Sequence, residues 1–263
     1  MIPYTHELET IRTALDHASE RLKRILYDGL KVHIKPDGSP VTNADLEVNQ
    51  ILQDSLLSAF PHDAWLSEES PDNPSRLQSQ RVWILDPIDG TKPFIKSLPH
   101  YTISLALIDQ GQPAIGVIFN PATQEYFCAI QGQPTTLNGQ PVQVRHTSSP
   151  SRRTVLINTW HIGKPLLKTW KQVHHCPPLL GSIAYSLALV AAGHVDGVIN
   201  VGPQNEWDIA AGLLLVQSAG GLVFDRKQKP ISCNQPSPTV NGIIAIRPDI
   251  LPTIQQWLTE IKV

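Results

Sequence analysis

The spacing of apolar residues changes character twice along this chain, and those changes limit the folds open to it. Leu8, Ile11, Leu15, Ala18, Leu22 and Ile25 recur at steps of three and four, which puts them on one face of a long helix ending near Gly29. A second helix is expected after "PVTN", capped by Thr42 or Asn43, with Leu46, Ile51, Leu52, Leu56 and Phe60 turned inward. From Ala64 to Ile130 the pattern is that of strands: "AWLSEE", "RVWILD", "YTISLALID", "PAIGVIF" and "EYFCAI", punctuated by "DQGQP" and "NPATQ". A polar stretch at 145–154 is the best linker candidate. After it, strand and helix signals alternate: "TVLIN", a helix near 164–174, "SIAYSLALVAAG", "VDGVIN", "WDIAAGLLLVQSAGG", "GLVF", "NGIIAI" and a last helix from Pro248.

Helices followed by a run of strands predict an α+β layer over residues 1–147, and the alternation predicts an α/β layer over 148–263. A chain of 263 residues, 41% hydrophobic and 17% charged, can bury a sizeable core. The formal charge of −2 gives no whole-protein attraction for a nucleic-acid polymer or an anionic membrane, so an anionic ligand must be held by local groups. A bound cation is one such group. The three cysteines, Cys128, Cys176 and Cys233, are odd in number and widely spaced, which argues against a disulfide framework and for a reducing cytoplasm. Neither a signal peptide nor an anchor is expected in the charged N-terminal stretch, and no window approaches the roughly 18 apolar residues of a membrane span.

Acidic residues cluster where apolar stretches end. "LSEES" supplies Glu68 and Glu69, "WILDPIDG" supplies Asp86 and Asp89, and "EWDIAAG" supplies Glu206 and Asp208. Each pair alone reads as a solvated turn or a helix cap. Three such clusters are hard to explain as unrelated caps, and carboxylates gathered together repel one another unless cations lie between them; magnesium takes such oxygen ligands together with water and substrate phosphate. "DGTKPF" adds the anion side: Gly90 lets the backbone approach closely, Thr91 offers a hydroxyl and an amide, and a short helix starting here aims free N–H groups at a phosphate. Pro93 is compatible with a first helical turn.

Taken in order, "EE", "WILDPIDGTKPF" and "EWDIAAG" resemble the magnesium-dependent, lithium-sensitive phosphatase superfamily of inositol monophosphatases, 3'(2'),5'-bisphosphate nucleotidases and fructose-1,6-bisphosphatases, with the motifs spanning residues 35 to 221. The resemblance implies a layered αβαβα sandwich of the sugar-phosphatase type and two to three Mg²⁺ ions. It implies that Glu68, Asp86 and the carbonyl of Ile88 hold one ion, that Asp86, Asp89 and Asp208 hold a second, and that a weaker third lies near Glu68. Asp45 and Thr91 are then expected to orient an attacking water, with Glu68 counted among the catalytic residues, for in-line hydrolysis of a phosphomonoester. Ile88, Asp89, Gly90, Thr91, Lys92, Ser182, Asn200, Glu206 and Asp208 are the expected substrate contacts.

Within that superfamily, "DPIDGTKPF" resembles the nucleotidase forms "DPIDGTKGF" and "DPLDGTKEF" more than the inositol form "DPIDGTTNF", and "SPVTNAD" and "GPQNEWDIAAG" lean the same way. Lys92 suits a ligand with more than one phosphate, although a solvated surface lysine is the plain alternative. Asn200 stands where inositol enzymes carry a glutamate that reads a ring hydroxyl. The expected activity is therefore a bisphosphate nucleotidase acting on 3'-phosphoadenosine 5'-phosphate, a by-product of sulfate activation, giving AMP and phosphate. Inositol monophosphatase is the alternative, followed by histidinol-phosphate phosphatase and by a homologue that only binds. A small phosphorylated substrate and a monomer or homodimer complete the expectation. His174, His175 and Cys176 read as structural, because adjacent side chains diverge, and Trp83 and Trp207 read as packing that steadies neighbouring carboxylates.

Overall fold

The computed structural model describes residues 3–146, 153–158, 168, 174–177 and 179–260. The helix expected near 164–174 lies almost wholly outside these residues, as do Ser151 and Arg152. Helix α1 spans Thr5–Asp28 and buries Ile11, Leu15, Ala18, Leu22 and Ile25, the stripe its spacing predicted. It stops at Gly29, whose φ of 113° suits glycine and whose amide donates back to Ile25. A small antiparallel hairpin, β1 (Val32–Ile34) and β2 (Pro40–Thr42), leads into α2 (Asn43–Ala59). The buried face of α2 is Ala44, Val48, Leu52 and Leu56, an unbroken i, i+4 row. Leu46 sits two residues off that row and is 48% exposed, so its expected inward placement is wrong; Ile51 and Phe60 are half-buried.

The strands that follow are β3 (Ala64–Ser67) and β4 (Arg81–Asp89), then, after the short helix α3 (Thr91–Ile95), β5 (Thr102–Asp109), β6 (Gln112–Asn120), β7 (Glu125–Ile130), β8 (Thr136–Leu137) and β9 (Gln140–Pro141). They lie side by side in chain order in one seven-stranded sheet. β3 and β4 pair in parallel, and every later neighbour is antiparallel. Of the polar stretch at 145–154, residues 147–152 lie outside the described residues.

Beyond it come β10 (Arg153–Ile157), β11 (His174–His175), helix α4 (Ile183–Ala191), β12 (Gly197–Asn200), β13 (Gln204–Asn205), helix α5 (Glu206–Ser218), β14 (Leu222–Phe224), β15 (Thr239–Val240), β16 (Ile243–Ile246) and helix α6 (Leu251–Glu260). A 3-10 turn at Pro248–Ile250 precedes α6. The second sheet has the order β11-β10-β12-β16-β14, and β13 pairs with β15 apart from it.

Alternation along the strands sorts these elements into five layers. Trp83, Leu85, Leu105, Leu107, Ile115 and Val117 leave one face of the first sheet and pack with α1 and α2. Val82, Ile84, Ala106, Ile108, Ile118 and Phe127 leave the other face and meet α4 and α5, which also receive Leu156, Val198, Ile243 and Ala245 from the second sheet. That sheet's outer face, with Ile157, Ile199 and Ile244, is closed by Ile254 and Trp257 of α6. The result is the expected αβαβα sandwich. Covered on both sides, α4 is buried at every residue, and α5 is buried without a break from Ile209 to Val216. Gly116 sets how close the layers come: a Cβ there would lie 2.6 Å from the Ala211 carbonyl oxygen of α5. Among the described residues, no helix is long and apolar enough to cross a membrane.

Candidate active site

Asp86 and Asp89 lie three apart on β4, and in a regular strand an odd separation sends side chains to opposite faces. The register answers this. Asp86 pairs with Ser104 and Asp89 with Thr102, so three steps on β4 are matched by two on β5. The extra residue is a bulge, and it returns Asp89 to the side of Asp86. At the parallel edge the amide of Glu68 donates to the Leu85 carbonyl at 3.3 Å, continuing the β3–β4 ladder and bringing Glu68 alongside Asp86. Gly90 then turns the chain with φ 98°, and a Cβ there would stand 2.7 Å from the His100 carbonyl oxygen, so no other residue fits the turn into α3 without displacement.

Each aspartate is held by one oxygen. Asp86 Oδ1 accepts the Ile88 amide at 3.0 Å. Asp89 Oδ2 accepts the Ser182 hydroxyl at 2.7 Å and the Ala184 amide at 2.6 Å, both from the start of α4. Asp208 Oδ2 accepts the Asn205 amide at 2.9 Å, within a capping box at the start of α5. Asp45 Oδ2 accepts the Thr42 amide and hydroxyl at 2.8 and 2.5 Å, within the capping box that starts α2. On Asp45 the other oxygen, Oδ1, meets the Thr91 hydroxyl at 3.4 Å, and that hydroxyl also lies 3.2 Å from the Ile88 carbonyl. One fixed oxygen per carboxylate leaves the second oriented rather than free to rotate.

The electrostatics are those of charge without a counter-charge. Asp86 and Asp208 are pushed well above the ordinary carboxylate range, first by burial and then by neighbouring acids: Glu68, Asp89, Asp208 and Asp45 around Asp86, and Asp89 and Glu68 around Asp208. Burial raises Asp89 to about 7 even though the Ser182 and Ala184 bonds pull the other way. Asp45 is raised by burial against the opposing bonds from Thr42. Among the described residues, none of these four aspartates has an ion-pair partner within 4 Å. No three of the described acidic, histidine or cysteine side chains stand as a ready-made metal cage. The fit to cations rests instead on an all-oxygen donor set whose aspartates have no ion-pair partner, Glu68 alone being balanced by Lys35, which suits a hard divalent ion.

The structure thus brings Asp45, Glu68, Asp86, Ile88, Asp89, Thr91 and Asp208 into one neighbourhood. Beside it a cavity of about 500 Å³ is lined by Asp89, Lys92, Asn158, Ser182, Asn200, Gln204 and Asp208 among others. Lys92 is exposed at its edge. Ser182, expected as a substrate contact, is fully buried and occupied with Asp89 and the Tyr185 amide. Glu206 is also fully buried, with both oxygens taken by the Asn234 and Gln235 amides at 2.5 and 2.8 Å. Three contributors had no role assigned from the sequence. Lys35 bonds Glu68 at 2.9 Å and Glu69 at 2.5 Å; burial alone would lower its pKa, but these two bonds hold it above the ordinary lysine value. Ser104 donates to the Trp207 carbonyl at 3.1 Å, anchoring α5 to β5. Asn158 donates to Asn200 at 3.2 Å. Thr42, one of the two caps expected for α2, is the one observed, in a capping box with Asp45.

Comparison with known proteins gives the family and supports the fold. A 3'(2'),5'-bisphosphate nucleotidase, CysQ of Escherichia coli K12, is 36% identical over 214 residues, covering 78% of this chain and 85% of that protein. The Nus factor SuhB of the same strain is 34% identical over 206 residues, covering 75% and 76%. Among solved structures, the Thermotoga maritima IMPase superposes with a TM-score of 0.86 at 28% identity over 98% of both chains. A lithium-soaked staphylococcal inositol monophosphatase-1 superposes at 0.88 with 20% identity, covering 100% of this chain and 97% of that one, a likeness of fold. The profile of the inositol monophosphatase family matches residues 5–258, from the first turn of α1 into α6, and the chain belongs to that family.

Proposed function

We propose that this protein is a magnesium-dependent phosphomonoesterase acting on a 3'(2'),5'-bisphosphate nucleotide, such as 3'-phosphoadenosine 5'-phosphate, to release AMP and phosphate. The observation that carries the reading is the make-up of the cavity wall. Lys92 is at its edge, the amides Asn158, Asn200 and Gln204 line it, and apart from Asp89 and Asp208 the described lining has no carboxylate. A lysine suits a second phosphate, and neutral amides suit ribose and base, whereas a polyol ring offers hydroxyl donors that want a carboxylate acceptor.

In this reading Glu68, Asp86 and the Ile88 carbonyl would hold one ion, and Asp86, Asp89 and Asp208 would hold another. Magnesium, when bound, supplies charge neutralisation for the phosphate and a lowered pKa for water. The protein's own groups do the rest. Backbone amides at Gly90, Thr91 and Lys92, at the start of α3, bind phosphate oxygens. Thr91 orients the attacking water, and Asp45, tied to Thr91 and raised by burial, takes the proton.

Lys92→Thr tests the substrate. Assayed on that bisphosphate, inositol 1-phosphate, histidinol phosphate and fructose 1,6-bisphosphate, the wild type should prefer the first. The variant should lose roughly ten- to a hundredfold on it, the worth of a charge-assisted contact of about 1.5–3 kcal/mol, while sparing inositol 1-phosphate. The likeness to the Thermotoga maritima IMPase, 28% identical over 98% of both chains, favours an inositol monophosphate as the second reading. A wild-type preference for inositol 1-phosphate would establish it over the first, and an indifferent Lys92→Thr would overturn the nucleotidase reading.

A further inference from the structure

Loop 233–235 lies between two segments that each carry an acid of the site. On one side it grips α5. Glu206, the first residue of that helix and two before Asp208, receives the Asn234 and Gln235 amides on its two oxygens and donates its own amide to Pro238 at 2.9 Å. On the other side the same loop grips the 3-10 turn Pro74–Gln78, which follows the segment bearing Glu68 and Glu69. Arg76 is 1% exposed and spends its guanidinium there: one nitrogen donates to Asn234 Oδ1 at 2.6 Å and another to the Gln235 carbonyl at 3.0 Å, while Asp72 takes the remaining donors at 2.7 and 3.1 Å. The Asn234 side-chain amide returns a bond to the Arg76 carbonyl at 3.2 Å. Asn234 holds φ at 59°, a left-handed conformation that asparagine tolerates better than most residues.

These bonds share partners, so the buried carboxylate, the loop and the buried guanidinium form one continuous strap. We propose that Glu206, Asn234 and Arg76 are positioning residues that fix the spacing between the Glu68 segment and Asp208. The strap therefore sets how well one cation-binding group is assembled from two distant parts of the chain. The inference rests on the reading of Glu68 and Asp208 as magnesium ligands. It also gives Glu206 a role other than touching substrate. Fixing a ligand through its neighbours typically governs about ten- to a hundredfold in metal affinity.

The test is magnesium binding by titration calorimetry, together with the rise in Tm that magnesium produces. Asn234→Gly keeps the left-handed turn and removes both side-chain bonds to Arg76; Arg76→Lys keeps the charge and loses the fork. Each should weaken magnesium about tenfold and shrink the magnesium-induced rise in Tm, with KM for the phosphate ester at saturating magnesium unchanged. Asp72→Asn, which alters Arg76 without touching the loop, should stay within about threefold of wild type. The strap is overturned if wild type binds magnesium and both variants bind it equally well, even where they melt earlier, since that is the signature of a merely structural role. Were Asn234→Gly not to fold, Arg76→Lys decides alone. A wild type that binds no magnesium overturns the strap and the metal reading together.

Discussion

Two buried groups of charge in this molecule treat aspartate in opposite ways. On the second sheet Asp196, 2% exposed, lies 2.9 Å from Arg247 and 3.6 Å from Arg145 and accepts the Thr154 amide at 2.7 Å, and Arg247 also pairs with Asp249 at 2.6 Å. Near the end of β4, Asp86 and Asp89 are likewise buried and Asp208 of α5 is half-buried, yet their nearest charges are one another and Glu68. Burial is common to both, so burial does not mark the site. What marks it is charge left uncompensated, a cost that a fold retains where something else is meant to balance it.

The contrast can be broken most severely at Asp86. Asp86→Asn should lower turnover by about a thousandfold or more, because several kcal/mol of transition-state stabilisation depend on cations that a neutral amide holds poorly. Circular dichroism should be unchanged, and the melting temperature in EDTA should hold or rise. A variant with the wild-type rate would place Asp86 in the same class as Asp196. Asp196→Ala should do the reverse, leaving turnover per folded molecule intact while costing about 3 kcal/mol in a urea melt, since it leaves Arg247 and Arg145 facing an emptied partner position. A cost below about 1 kcal/mol would mean the arginines find water instead.

The smallest effect is a pH dependence. Asp89 has its pKa raised to about 7 in the folded protein, against roughly 3.9 when unfolded. Between those values the unfolded chain has given up its proton and the folded one has not, so stability falls as pH climbs from about 4 to about 7 and then levels off. In EDTA the difference in Tm between Asp89→Asn and wild type should therefore widen in the variant's favour across that window, and magnesium should close it. A gap that stays flat with pH would show that Asp89 is compensated after all.

Most of the layering could be read from the sequence because it depends on period alone: the α1 stripe, the strands from Ala64 to Ile130 and the alternation after β10 all follow side-chain spacing. The acids of the site were legible for a different reason, their place at the ends of apolar runs. Leu46 departs from its expected inward place because apolar character alone does not define a face, and the row through Ala44, Val48, Leu52 and Leu56 is complete without it. Lys35 and the Arg76 strap were beyond reach. Arg76 and Asn234 are 158 residues apart, and nothing in the local pattern of either tells that a loop will bring them together. The bulge lies between these cases: Pro87 and the odd spacing of Asp86 and Asp89 hint at it, but only the pairing with Ser104 and Thr102 fixes its size.

The double-sided burial of α4 and α5 also has a consequence at birth. The first sheet is finished at Pro141, but the helices that cover Ile84, Ala106, Ile118 and Phe127 end only at Ser218, and the sheet that covers those helices in turn ends at Ile246. At synthesis rates of about 5–20 residues per second, the nascent chain carries a greasy sheet face with no lid for several seconds. The yield of this protein in a cell is then set by whatever shields that face on the ribosome, a hazard invisible in the finished fold, where the same residues are among the least exposed of all.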